Sequence, residues 1–154
     1  MTRVVVGVDG SACSAEALTW ALRQAVRLGA QVHAIACWQP PTIAIGAGYG
    51  AYIDPSTYDM TGPTTEMLAK AVAAARGDVP GADALQVDCR VLEAYPARAL
   101  LTAAEGAALL VVGSRGHSEL SAMLLGSVGL HCVSHAPCPV VVVRGTQPAA
   151  VDGG

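Results

Sequence analysis

Apolar and polar positions fall into blocks along the chain, and each block has its own period. Val4 to Val8 is a valine-rich run, as a strand buried on both faces requires, and Asp9-Gly10-Ser11 ends it. From Cys13 to Leu28, Leu18, Ala21, Leu22, Ala25 and Val26 recur at helical spacing, with Glu16, Arg23 and Arg27 opposite. That predicts a helix, which Gly29 stops. A second strand covers Gln31 to Trp38 and is closed by Pro40-Pro41. A second helix is expected from Thr64 to Arg76, with Leu68, Val72 and Ala75 inward, followed by a turn over Val79 to Asp83.

In the third strand, Leu85 to Leu92, the residues Leu85, Val87, Cys89 and Val91 alternate with Gln86, Asp88 and Arg90. That alternation marks a half-exposed edge. Pro96 suits the first turn of a third helix reaching Glu105. Leu109 to Val112 is another buried strand, and a helix over Ser127 to His135 is stopped by Pro137 and Pro139. Val140 to Val143 is the last strand. Five strands interleaved with four helices predict an α/β chain: one doubly wound parallel sheet with helices on both faces and right-handed crossovers. The two buried runs, Val4 to Val8 and Leu109 to Val112, sit best in its centre.

The chain has 154 residues, enough for one such domain and too few for two. The domain is expected over residues 1–146. It contains a proline-, glycine- and tyrosine-rich loop over 39–63, and 147–154 read as a disordered tail. Aromatics are 4% and phenylalanine is absent, so alanine, valine and leucine must build the core. The formal charge is −3 and the eight arginines are scattered, which speaks against nucleic acid as a partner. The short apolar run after Met1 carries Asp9 at once, unlike a signal peptide, and no stretch approaches a membrane span. A cytoplasmic protein is expected. Cys13, Cys37, Cys89, Cys132 and Cys138 contain no Cys-x-x-Cys pair and read as small buried hydrophobes in a reducing compartment.

Ligands of doubly wound sheets bind at the carboxyl ends of the strands, where the winding reverses. With the central pair as that point, the site lies between Asp9-Gly10-Ser11 and the segment after Val112. That segment reads Gly113-Ser114-Arg115-Gly116, nine residues, then Gly126-Ser127-Val128. Glycines let backbone amides approach an anion closely. Ser127 can cap the helix that follows, leaving its first amides turned to the same place. Together these features describe a phosphate cradle. It is not a P-loop, because no Gly-Lys-Ser/Thr is present, and the glycine spacing is not that of the dinucleotide fingerprint. Gly46-Ala47-Gly48-Tyr49-Gly50 resembles that fingerprint loosely but follows prolines rather than a strand.

Here the sequence resembles the universal stress protein family over about Arg3 to Arg144. The Gly-x2-Gly-x9-Gly-Ser spacing resembles the signature of that family's ATP-binding branch. Val6-Gly7-Val8-Asp9-Gly10-Ser11, Val111 to Gly116 and His135-Ala136-Pro137-Cys138-Pro139-Val140 are similar to other family segments. The resemblance implies strand order 3-2-1-4-5, a fold similar to the adenine nucleotide alpha hydrolases, and a site for ATP or another adenine nucleotide with Mg²⁺. By position it implies nucleotide contacts from Val8, Asp9, Gly10, Ser11, Cys37, Gly113, Arg115, Gly116, Gly126, Ser127 and Val128. Asp9 would face ribose or a metal-bridged phosphate, and the backbone of Cys37 the adenine. Mg²⁺ would come with the nucleotide, since no protein metal site is expected. Two departures from the family pattern lie outside the phosphate motif: Ala94-Tyr95-Pro96 before the third helix and Ala108 at the fourth strand.

Plainer readings stand beside these. Asp9 could cap the first helix, and Gly113 and Gly116 could be turn glycines. Arg115 and His117 could pair with phosphate or belong to a solvated loop. His131, Cys132, His135 and Cys138 have poor metal spacing. As the edge strand of that order, Val140, Val141, Val142 and Val143 would be an aggregation hazard unless paired with a second copy, and the resemblance implies the same homodimer. The function so implied is a regulatory nucleotide-binding protein acting on a stress-response partner, with at most slow hydrolysis. The alternatives are a nucleotide-dependent ATPase or phosphotransferase using Asp9, His117 or Glu119, and an interaction module built on the 39–63 loop.

Overall fold

The computed structural model describes residues 1–40, 55–116 and 124–145. Its elements run β1 (Arg3–Gly7), α1 (Ala12–Leu28), β2 (Gln31–Trp38), α2 (Thr61–Gly77), β3 (Val87–Glu93), α3 (Pro96–Ala104), β4 (Leu109–Gly113), α4 (Ser127–His135) and β5 (Val140–Val143). All strand pairs are parallel, and the sheet order is β3-β2-β1-β4-β5, the order the resemblance implies. The winding therefore reverses between β1 and β4.

Two apolar layers cover the sheet. Val4, Val6, Val32, Ala34 and Val111 face α1 and α2, meeting Leu18, Leu22, Leu68 and Val72. Val5, Ile35, Leu110 and Val112 face α3 and α4, meeting Leu100 and Cys132. Each buried leucine contributes about 1.5–3 kcal/mol on removal from water. Alanines at 17, 21 and 25 are fully buried, so α1 lies close against the sheet. One close approach is at Gly113, where a Cβ would stand 2.9 Å from the backbone carbon and Cβ of Cys13. The first turn of α1 thus rests on the end of β4, which brings Asp9-Gly10-Ser11 beside the glycine loop.

Several boundaries differ from those expected. α2 begins at Thr61, taking in Gly62 and Pro63 that the composition assigns to the loop. Pro63 falls in the first turn, where its missing N–H has no helical partner to lose. Asp59 Oδ1 accepts from Thr61 N at 2.9 Å, and hydrogen bonding from the Thr61 side chain first, then from this amide, holds the Asp59 carboxyl below its ordinary range. β3 starts at Val87 because Ala82–Ala84 forms a 3₁₀ turn first, with Leu85 N donating to Ala82 O. Arg76 closes that turn by donating to the carbonyls of Ala82, Asp83 and Leu85. Of the cysteines, only Cys132 is fully buried. Cys13, Cys37 and Cys138 are half-buried and Cys89 is exposed, because the edge strand turns it outward. Gly46, Gly48 and Gly50, most of the 39–63 loop and the 147–154 tail lie outside the described residues.

Candidate functional site

Ser11, not Asp9, caps α1. Its side chain accepts from Ser14 N at 3.2 Å, and Ser14 Oγ donates back to Ser11 O at 3.0 Å. Asp9 braces the turn from outside, with Oδ1 accepting from Ser11 N at 2.9 Å and its own amide donating to Ser14 Oγ at 3.3 Å. Gly10 makes the turn at φ 82, a backbone region that glycine enters without strain. The Asp9 carboxylate is thereby presented at the carboxyl end of β1.

The glycine loop meets it from β4. Ser114 N donates to Val143 O at 2.8 Å, and Gly126 N donates to Ser114 O at 2.7 Å, so the two ends of the segment are clasped together. Gly116 lies so near Asp9 that a Cβ there would stand 2.7 Å from Oδ2. Gly126, rather than Ser127, is the N-cap of α4, and Ser127 is its first helical residue. The expected cap at Ser127 is therefore shifted by one. Gly126 adopts the extended cap backbone with no side-chain bond, and Leu130 N donating to Gly126 O is the first bond of the ladder. The amides of the preceding turn stand outside that ladder at the positive end of the helix.

These parts enclose a cavity of about 250 Å³. Val8, Asp9, Cys37, Gly113, Arg115, Gly116, Gly126, Ser127 and Val128 all line it, together with Ser14 and Gly129. Gly10 and Ser11 do not, being turned into the α1 cap. The sequence reading missed the apolar wall formed by Ile35, Pro96 and Leu100. Ile35 is two residues before Cys37 on the same strand face, a period-two signal that could have placed it. Pro96 and Leu100 are four apart on α3 and reach the site only through the crossover. Gly7 permits this wall, since a Cβ there would lie 2.9 Å from Leu100 Cδ1.

Electrostatically the cavity is two-sided. The apolar end holds Ile35, Leu100 and Cys37, whose thiol burial pushes up to about 11, so it remains a neutral lining group rather than a nucleophile. The polar end holds Asp9, Arg115, Gly113, Gly116, Gly126 and the α4 N-terminus. Such an arrangement accepts a flat apolar body at one end and an anion at the other. His117 and Glu119 lie outside the described residues. His131 and His135 stack on the exposed side of α4 with ring centroids 4.5 Å apart, while Cys132 points into the core. Among the described residues no group of three His, Cys, Asp or Glu could hold a metal ion.

Sheet order, switch-point cleft and clasped glycine loop define a doubly wound α/β domain with a cavity at its switch point. A family model, the universal stress protein family, matches residues 1–144, and the chain belongs to that family. A universal stress protein of Mycolicibacterium smegmatis is 34% identical over 150 residues, covering 97% of this chain and 50% of that protein. One from Thermus aquaticus is 32% identical over 145 residues, covering 92% of this chain and 97% of that protein. The chain spans about half the length of the mycobacterial relatives it matches. Among solved structures, a universal stress protein in complex with cAMP superposes with TM-score 0.64 at 24% identity, over 94% of this chain and 98% of that one. Another, from Archaeoglobus fulgidus in complex with dAMP, gives 0.61 at 18% identity, over 93% and 98%. At these identities the likeness is one of fold.

Proposed function

We propose that the chain binds an adenine nucleotide in the cleft between β1 and β4, and that it is a regulatory protein of the stress response rather than a fast enzyme. The observation that carries this is the meeting of Gly113, Gly116 and the first turn of α4 with Asp9 around one cavity. The space a Cβ would fill at Gly116 adjoins the Asp9 carboxylate, and the first turn of α4 lines the same cavity, which suits a phosphate bridged by a cation. The cAMP and dAMP bound to two structural neighbours are adenine nucleotides, in keeping with this chemistry.

ATP with Mg²⁺ is the ligand this reading favours. The base and sugar fill the apolar end against Ile35, Cys37 and Leu100, and the phosphates lie along the glycine loop. Mg²⁺ keeps most of its own waters and needs one or two protein carboxylates, and Asp9 supplies the one available among the described lining residues. A P-loop lysine is lacking, which is why hydrolysis is expected to be slow.

The same reading makes the protein a cytosolic homodimer paired through β5. Val140 to Val143 are half-buried on both faces at the sheet edge. Pro139 O accepts from Leu110 N and Val143 O from Ser114 N, so by the alternation of a parallel ladder Val140 and Val142 turn their backbone groups outward. An apolar valine edge of this kind is protected by pairing with its own copy around a two-fold axis. All five cysteines are unpaired, as a reducing compartment favours.

The test is to denature freshly purified protein and identify any released nucleotide by chromatography, quantified per chain. Near-stoichiometric ATP supports the whole reading, while ADP or AMP keeps the site and shifts its preference. Protein that is empty and takes up no adenine nucleotide with Mg²⁺ overturns it.

A further inference from the structure

Three of the eight scattered arginines meet in space. Arg3, Arg90 and Arg98 line an open groove of about 500 Å³ between the β2–β3 part of the sheet and the flank of α3, with His33 and Glu93. We propose that this groove is a second ligand site, one that takes a small organic phosphate monoester with an apolar body.

Its charges are unbalanced. Arg90 is neutralised by Asp88, whose Oδ2 accepts from Nε at 2.8 Å and lies 2.7 Å from the terminal nitrogen. Arg3 and Arg98 have no carboxylate partner among the described residues. Glu93 is the one carboxylate on the groove wall. In a chain of net charge −3, this is a local concentration of positive charge with room beside it.

The placement of Arg98 is itself unfavourable without a ligand. It sits on the first turn of α3, which has no acidic residue to answer the positive end of the helix. A cation there is disfavoured by the helix dipole. A bound dianion reverses the sign, since guanidinium and helix end would then attract the same group. Arg3 is held rigidly by donating to the carbonyls of Ala103 and Glu105, yet its Nε is buried without an acceptor among the described residues.

His33, 7% exposed, lies in the groove floor with its Nε2 3.9 Å from Asp88. Burial first and then the charge of Arg90 lower its pKa, Asp88 pulls the other way and Arg3 adds a smaller push down, and the ring offers a hydrogen bond to an anion in the groove. The rest of the wall is apolar, with Ile35, Leu92 and Ala99 beside the arginines. Bare phosphate would leave that surface wet, and an ester with a hydrocarbon part would cover it.

Phenyl phosphate is the probe, titrated into the intact protein and followed residue by residue by NMR. Saturable shifts are expected at Ala99, Thr102 and the His33 ring, with the ring nitrogens moving toward the protonated form as the dianion arrives. Arg98→Ala should weaken binding at least tenfold, whereas Arg23→Ala on α1 should leave it unchanged. Phenol, which lacks the phosphate, should not bind. Three results would each overturn the assignment: no saturable shift in the groove, shifts confined to Gly113 and Gly116 in the other cleft, or equal affinity in Arg98→Ala.

Discussion

The carboxylate of Asp9 occupies the space that a side chain on Gly116 would need, since a Cβ at 116 would stand 2.7 Å from Asp9 Oδ2. The end of β1 and the loop after β4 therefore share one volume, and the acid can hold its position only while residue 116 is glycine. The obstructed atom is the tip of a rotatable side chain, so Gly116→Ala should move the carboxylate rather than unfold the domain. Affinity for ATP with Mg²⁺ should fall roughly tenfold, about 1.4 kcal/mol, with the melting temperature nearly unchanged. Calorimetric titration beside a thermal melt separates the two, and undiminished affinity in a folded variant would count against the proposed site.

Gly113 differs in kind, because its missing Cβ faces backbone. Gly113→Ala should cost about 1–3 kcal/mol through overpacking against Cys13. At roughly 2–4 °C per kcal/mol for a chain of this size, the melting temperature drops visibly. At Gly77, the last residue of α2, an added Cβ would meet nothing within 4 Å. Gly77→Ala should instead raise stability by about 0.4–1 kcal/mol. Urea unfolding of both variants checks the opposite signs.

Ser11 satisfies one amide of α1 through its hydroxyl. Ser11→Ala should lose about 1 kcal/mol and Ser11→Gly only a few tenths, because glycine solvates the open turn. Equal losses in the two variants would mean that the hydroxyl acts otherwise than as a cap.

His33 makes stability depend on pH. Its folded pKa lies below the ordinary 6.5, through burial first and then the charge of Arg90. Below 6.5 the unfolded chain takes up the proton before the folded one does. Stability should therefore be full above neutrality and decline as pH falls from 6.5 toward the depressed value, levelling once the folded state also protonates. Denaturation midpoints compared across this range should show the slope in the native chain, and His33→Gln should flatten it.

Val142 turns its backbone away from β4, so Val142→Pro removes an outward N–H while leaving the β4–β5 bonds in place. If two copies pair through this edge, sedimentation should show dimer in the native protein and folded monomer in the variant. A native protein that sediments as monomer at high concentration would refute the pairing.

Much of this architecture was legible from sequence because single periods dominate it. Gln31 to Trp38, Ser127 to His135 and Val140 to Val143 have the limits their patterns predict. The start of α2 was not legible, since Gly62-Pro63 reads as a loop and only the backbone reveals that Pro63 stands in a first turn. At the site, the glycine spacing pointed to residues that do converge. The shift of the α4 cap from Ser127 to Gly126 depends on a backbone bond to Ser114 that no local pattern encodes. Ile35, Pro96 and Leu100 entered the cleft unannounced because they come from segments remote from the glycine motif. Arg3, Arg90 and Arg98 looked scattered for the same reason.

The clasp between Gly126 N and Ser114 O has a bearing on how such a chain can diversify. With the base of the loop tied, the segment between Gly116 and Gly126 can change length without breaking the tie between β4 and α4. Closure entropy grows slowly with the length of a connection, by about 0.6 kcal/mol per doubling. A change in the length of that segment leaves the tie at its base in place, so selection can retune what the cleft admits while inheritance of the fold is left undisturbed.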